Sequence, residues 1–214
     1  MKTPTLCLML KAPRAGEVKT RLAREIGAER AAEIYRRLVE WQLASIPAHW
    51  RVEIHFTPAG ARDEMRSWLG APGNAQFFPQ SDGDLGTRLK AAIGGAFTRT
   101  AGFVICIGGD CPALDRTKLC AAAGALAAHE AVAMPALDGG YVLIGLAAPN
   151  LFLFDGIAWS TPQVLAQTRA QAERHGLALH IASEALEDVD DLESLRRAEK
   201  HYAFLSCADR QSRE

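Results

Sequence analysis

The residues able to do chemistry fall into four short clusters. The first, KAPRAGEVKTRL (Lys11 to Leu22), carries Lys11, Arg14, Lys19 and Arg21, interleaved with Pro13, Gly16 and Thr20. A glycine-containing turn leading into a helix presents free backbone N–H groups at the positive end of a dipole. Lys adds a point charge and Arg a bidentate fork, which suits phosphate oxygens. The loop is not a Walker A sequence, because Val18 stands where the second glycine would be, and it is not GxGxxG. A solvated basic loop is the plain alternative. The second cluster, FVICIGGDCPAL (Phe103 to Leu114), runs a buried strand into Gly108 and Gly109 and delivers Asp110 at its carboxyl end. A carboxylate there suits a hard divalent cation such as Mg²⁺, which takes one or two carboxylates together with substrate phosphates. The competing job, capping the next helix, falls more naturally to Asp115.

The third cluster, PALDGGYVLIGL, holds Asp138, Gly139 and Gly140, whose Asp-Gly-Gly run reads first as a tight hairpin turn. The same glycines would leave room for a bound sugar or acceptor, with Tyr141 offering a ring face or a hydroxyl. The fourth is EDVDDLESL, Glu187 to Leu195. Asp191 and Glu193 fit the first turn of a helix. Asp188 and Asp190, on either side of Val189, fit it less well, and are candidates for a second carboxylate converging on Asp110. Two lesser motifs remain. DLGTRL either places Arg88 toward a ligand or simply starts a helix, and WSTPQVL offers Ser160 or Thr161 as N-cap ahead of Pro162, with Trp159 more often core than site. There is no GxSxG nucleophile elbow.

Positioning these clusters requires alternating strands and helices. Apolar runs and alternations predict strands at 5–10, 51–57, 76–79, 102–107, 131–135, 141–144 and 177–181. Helical spacing is expected at 18–24, 28–46, 62–69, 84–97, 114–128, 161–175 and 191–202, with Ile34, Leu38, Trp41 and Ser45 on one stripe, a turn at 71–74 and Gly176 closing the sixth helix. That order predicts one α/β domain over residues 1–205, a mostly parallel sheet between helical layers, and a frayed polar tail over 206–214. Ligands of such sheets bind beyond the carboxyl ends of the strands.

With 214 residues, 49% of them apolar, the chain can bury a substantial core without staples. Lys and Arg number 24 against 25 Asp and Glu, a balance that argues against nucleic acid or a membrane surface as the partner. The longest apolar stretch is interrupted by His129 and Glu130, so no membrane span is expected. Five cysteines without a CxxC pair support neither a disulfide framework nor zinc, and a cytoplasmic address is expected.

Taken in order, KAPRAGEVKTRLA, DLGTRL, IGGDCPAL, DGGYVLIGL, WSTPQVL and DVDDLESL give the chain its resemblance to bacterial proteins of the nucleotide-diphospho-sugar transferase superfamily, the GT-A fold. Within it the chain is similar to a glycosyltransferase-like group linked to arsenosugar biosynthesis, and more distantly to 2-phospho-L-lactate and molybdenum-cofactor guanylyltransferases. The resemblance implies a three-layer α/β/α sandwich around a mixed sheet of about seven strands. It implies that the first loop wraps a nucleotide diphosphate through Lys11, Gly16, Lys19 and Arg21, and that Mg²⁺ or Mn²⁺ rests on Asp110 and on Asp190, or Asp188 instead. The GxGxR opening of nucleotidyltransferases is absent.

The expected activity is therefore metal-dependent glycosyl transfer from a nucleotide-diphospho-sugar to a small acceptor. Asp110, Lys19 and Arg21 would stabilise the leaving diphosphate, Asp138 is the candidate base, and Pro13, Thr20, Arg88, Gly109, Gly139, Gly140 and Tyr141 would line the donor and acceptor sites. The alternatives are nucleotidyl transfer to a phosphorylated small molecule, with release of pyrophosphate, and a nucleotide-binding module without catalysis.

Overall fold

The computed structural model describes residues 3–70 and 75–206. The first strand, β1 (Thr5–Lys11), is apolar on both faces, as a strand covered by helices on both sides must be. Then follow α1 (Thr20–Ile26), α2 (Ala28–Ser45), β2 (Arg51–Thr57), α3 (Arg62–Leu69), β3 (Gln76–Pro79), α4 (Leu85–Arg99) and β4 (Val104–Ile107). The second half comprises α5 (Arg116–Ala125), β5 (Ala131–Pro135), β6 (Tyr141–Leu146), α6 (Val164–Arg174), β7 (Leu179–Ile181) and α7 (Leu192–Glu199).

Seven strands form one sheet in the order β3-β2-β1-β4-β6-β5-β7. Only β6 runs against its neighbours, β4 and β5; every other pairing is parallel. Alternation along β1 divides the core. Leu6, Leu8 and Leu10 pack with Ala32 and Val39 of α2 and Leu119 of α5, while Cys7 faces Ile93 of α4 and Ala172 of α6. This is the three-layer α/β/α sandwich with a mostly parallel mixed sheet. A satellite core joins Leu22 of α1, Ile34 and Leu38 of α2, and Leu195 of α7 around the buried Val189.

Several local expectations shift. The stripe α2 buries runs through Ala31, Ile34, Tyr35, Leu38 and Gln42 rather than through Trp41, which is exposed and stacks on Phe204 at 4.7 Å. The sixth helix starts at Val164, because Thr161 turns its hydroxyl back to the carbonyl of Ala158 and Ser160 adopts a positive φ of 61°. Neither Ser160 nor Thr161 caps it. Asp115 does cap α5, as its position suggested, and Gly176 follows α6 with φ 64°. The expected turn at 71–74, Cys207 and the tail over 207–214 lie outside the described residues. Cys7, Cys106 and Cys111 are buried and unbridged. No helix among the described residues is long and apolar enough to cross a membrane.

Candidate functional site

Three carboxyl-end features of the sheet converge on one point. After β1 the loop over residues 12–19 returns to start α1, with Lys19 at its N-cap in the left-handed region at φ 47° and no side-chain cap bond. The side chain is thereby free to turn inward: it is 4% exposed, and its ammonium lies 2.8 Å from Asp110 Oδ1 and 3.1 Å from Asp190 Oδ1. Arg21 holds the other oxygen of Asp190. Burial opposes the charge on Lys19, but Asp110 and Asp190 outweigh it and raise its pKa above the usual value.

Asp110 hangs from β4 on a two-glycine turn. A Cβ on Gly109 would stand 2.6 Å from Val39 Cγ2 and 2.9 Å from Leu10 Cδ2, so only glycine lets the turn seat this close to α2. The acidic loop is tied to it through the backbone, since Val189 N–H donates to the Asp110 carbonyl at 3.0 Å. On the other side Asp191 caps α7 in a reciprocal box with Ser194, whose Oγ accepts from the amides of Asp190 and Asp191. Asp188 is pushed up to about 7, first by burial and then by Asp110.

Asp110 and Asp190, which meet around the Lys19 ammonium, supply only oxygen, the donor a hard cation takes; Asp188 does not join them in a cluster of three within 4.8 Å. Asp110 Oδ1 is buried and has no hydrogen-bond partner among the described residues beyond the ion contact to Lys19. A positive charge already stands between Asp110 and Asp190, so their separation accommodates a cation.

Two lobes open from this point. The first, about 330 Å³, is walled by Lys11, Lys19, Thr20, Arg21, Arg88 and Gly109, together with Tyr35 and Gln80. Tyr35 clamps the strand end, its hydroxyl accepting from the Lys11 amide and donating to the Lys11 carbonyl. Gln80 donates its amide hydrogens to the carbonyls of Leu10 and His55, so its oxygen remains for a donor entering the lobe. The second lobe, about 530 Å³, is walled by Asp138, Gly140, Tyr141, Trp159, Ser160, Thr161 and Asp188. Arg21, Leu85 and Asp190 belong to both.

Among the sequence candidates, Pro13, Gly16 and Gly139 are not wall residues of either lobe. The carbonyl of Pro13 is held by Arg36, and Gly16 shapes the loop with φ 80°. Arg14 turns out to Glu64. Gly139, at φ 88°, seats the hairpin turn against the 159–162 loop, and a Cβ there would lie 2.2 Å from the Pro162 carbonyl oxygen. Asp138 spends Oδ1 on the Gly140 amide. Trp159, read from sequence as core, is a wall of the second lobe edge-on to Tyr141. Its motif was visible, whereas Gln80 carries no sequence signal.

A separate buried group also went unseen. Donor atoms of Cys7, Glu53 and His55 lie within 4.8 Å of one another, brought together by the β1–β2 register. Glu53 there is already engaged by Arg99 through both oxygens and by His55.

No curated protein matches the chain. Among solved structures, a protein of Desulfovibrio desulfuricans G20 assigned as a nucleotide-diphospho-sugar transferase superposes with a TM-score of 0.84 at 31% identity, covering 95% of this chain and 90% of that one. CMP:2-keto-3-deoxy-manno-octonic acid synthetase complexed with CTP gives 0.57 at 9% identity, covering 94% and 98%. A Mycobacterium tuberculosis H37Rv protein in complex with manganese gives 0.54 at 14%, covering 93% and 100%. The last two share the fold alone. A family profile matches residues 43–161, a span that contains Asp110, Asp138 and Trp159 but neither Lys19 nor Asp190. The motif resemblance thus holds at the level of fold, and the chain belongs to the family described as "Uncharacterized protein conserved in bacteria" (DUF2064).

Proposed function

We propose that this protein is a divalent-metal-dependent transferase that moves a glycosyl group from a nucleotide-diphospho-sugar to a small acceptor. The observation that carries the reading is the meeting of Lys19, Arg21, Asp110 and Asp190 at the junction of a cationic lobe and an aromatic, hydroxyl-lined one. Kinship with the Desulfovibrio protein supports the transferase class.

In this reading the first lobe binds the nucleotide diphosphate. Lys11, Arg88 and the start of α1 meet its oxygens, and Gln80 offers an acceptor to the base. Asp110 and Asp190, with Asp188 beside them, would hold Mg²⁺ or Mn²⁺, which when bound supplies Lewis-acid stabilisation of the diphosphate. Lys19 and Arg21 add positive charge where charge develops on the leaving group. The second lobe orients the acceptor against Tyr141 and Trp159, with Ser160 and Thr161 offering hydroxyls. Asp188 and Asp138 are the carboxylates available to take a proton from it. Asp188 is the better placed of the two, because Asp138 spends an oxygen on its own turn.

Nucleotidyl transfer is the second reading, favoured by the fold shared with a CTP-bound synthetase. One experiment separates them. The protein is incubated with Mn²⁺ and either nucleotide-sugars plus small polyols or nucleoside triphosphates plus phosphorylated acids. Release of nucleoside diphosphate supports the first reading; pyrophosphate release replaces it with the second.

A further inference from the structure

The carboxylate pair assigned to the divalent ion already has a cation, and it is covalently part of the chain. Lys19 Nζ touches one oxygen of Asp110 and one of Asp190, while Arg21 takes the remaining oxygen of Asp190. Both oxygens of Asp190 thus already face a cation, and a metal approaching either one meets the charge of Lys19 or Arg21. The Lys19 backbone is held in a left-handed conformation unfavourable for any residue with a Cβ, and its side chain does no capping work there. What the conformation achieves is delivery of the ammonium to the two acids.

We infer that Lys19 and the divalent cation compete for the same two carboxylates, so that Lys19 guards the metal site until an anionic ligand draws its ammonium away. The inference rests on the metal assignment made above. An ammonium and a divalent ion sharing one oxygen pair in a partly buried cleft would repel strongly. The ammonium does have somewhere to go. Lys19 is also a wall of the first lobe, where Lys11, Thr20, Arg21 and Arg88 prepare a place for phosphate oxygens. Turning toward a diphosphate keeps the charge of Lys19 paired while it frees one oxygen on each acid. Ion and nucleotide then bind with positive coupling, each raising the affinity for the other by the same factor, and Lys19 is the element that couples them.

The test titrates Mn²⁺ alone into the full-length protein and follows the free ion by electron paramagnetic resonance. Wild type, Lys19→Met, and Lys19→Met combined with Asp110→Asn are compared. Competition predicts at least tenfold tighter binding at one site in Lys19→Met than in wild type, and loss of that gain in the double variant. Equal affinity in wild type and Lys19→Met, with binding lost on Asp110→Asn, overturns the competition and leaves the metal assignment standing. No binding in any variant overturns both. Should Lys19→Met fail to fold, Lys19→Gln, which keeps donors without charge, is melted with and without Mn²⁺. A larger upward shift than in wild type supports the inference, and an equal or smaller one overturns it.

Discussion

The amide of Val189 donates to the carbonyl oxygen of Asp110 at 3.0 Å. This backbone bond ties the acidic loop before α7 to the end of β4, and it fixes Asp188 and Asp190 on either side of a buried anchor. Asp110→Asn retains the carbonyl and so the tie, but removes a charge. We expect it to lower metal-dependent turnover at least 100-fold, as loss of one electrostatic contact at a reacting centre does, with melting within a few degrees of wild type. Steady-state kinetics and a thermal melt check this.

Asp188 gives a pH dependence. Its pKa in the folded protein, about 7, lies above the ordinary aspartate value, so the native state holds a proton that the unfolded chain releases. The resulting stability is present below about pH 4 and is lost as pH rises toward about 7. In chelator-treated protein, Asp188→Asn should therefore be more stable than wild type above pH 7, by about 1 kcal/mol or more, and no more stable near pH 4. Urea titrations across that range decide it. A wild-type protein that gains stability relative to the variant as pH rises would contradict the assignment.

Gly139 tests the second lobe. Alanine there meets both a positive φ and the Pro162 carbonyl oxygen at 2.2 Å. The hairpin turn and the 159–162 loop must separate, at a cost of about 2 kcal/mol. Because Trp159, Ser160 and Thr161 ride on the displaced loop, the acceptor KM should rise at least tenfold while donor affinity changes less than threefold. Separate titrations of donor and acceptor show whether the effect is confined in this way.

Arg99→Met tests the buried pair away from the cleft. Burial pushes the pKa of Glu53 up, but hydrogen bonds from Arg99 and then His55 outweigh it and hold the carboxyl below its usual range. Without Arg99 a carboxylate only 4% exposed loses its main partner, costing about 3 kcal/mol near pH 7. The stabilisation from the lowered pKa is present above the ordinary glutamate value and fades as pH falls through the lowered one. The gap between variant and wild type should accordingly narrow below about pH 4, as measured by denaturant midpoints.

How far such features could be read in advance depended on the distance over which they are encoded. β2, α3, β3 and β5 begin and end where their patterns predicted, because a run of alternating or evenly spaced apolar residues is a local signal. Asp115 was legible as a cap from its place just before a helical run, whereas Asp191, expected inside the first turn of the last helix, proves to be its N-cap. The start of α6 was not, since the loop before it is shaped by the hairpin turn at Gly139, which arrives from another part of the chain. Asp110 and the Asp188/Asp190 pair were nominated from their places at strand and helix ends. That Lys19 stands between Asp110 and Asp190 could not be read, because it depends on one left-handed residue. Trp159 was half legible: it packs against the core as expected but also walls the second lobe, and an aromatic with one face open has the same local sequence as one fully enclosed. Cys7, Glu53 and His55 meet only through strand register.

The Ser194 box that clamps the acidic loop has a consequence for biosynthesis. During translation β1, the loop that carries Lys19, and Asp110 emerge first, and Asp188 and Asp190 follow just ahead of α7. A ribosome-bound chain that has reached α6 therefore offers Lys19 only one of its two acidic partners, Asp110, and the pairing with Asp190 is completed late.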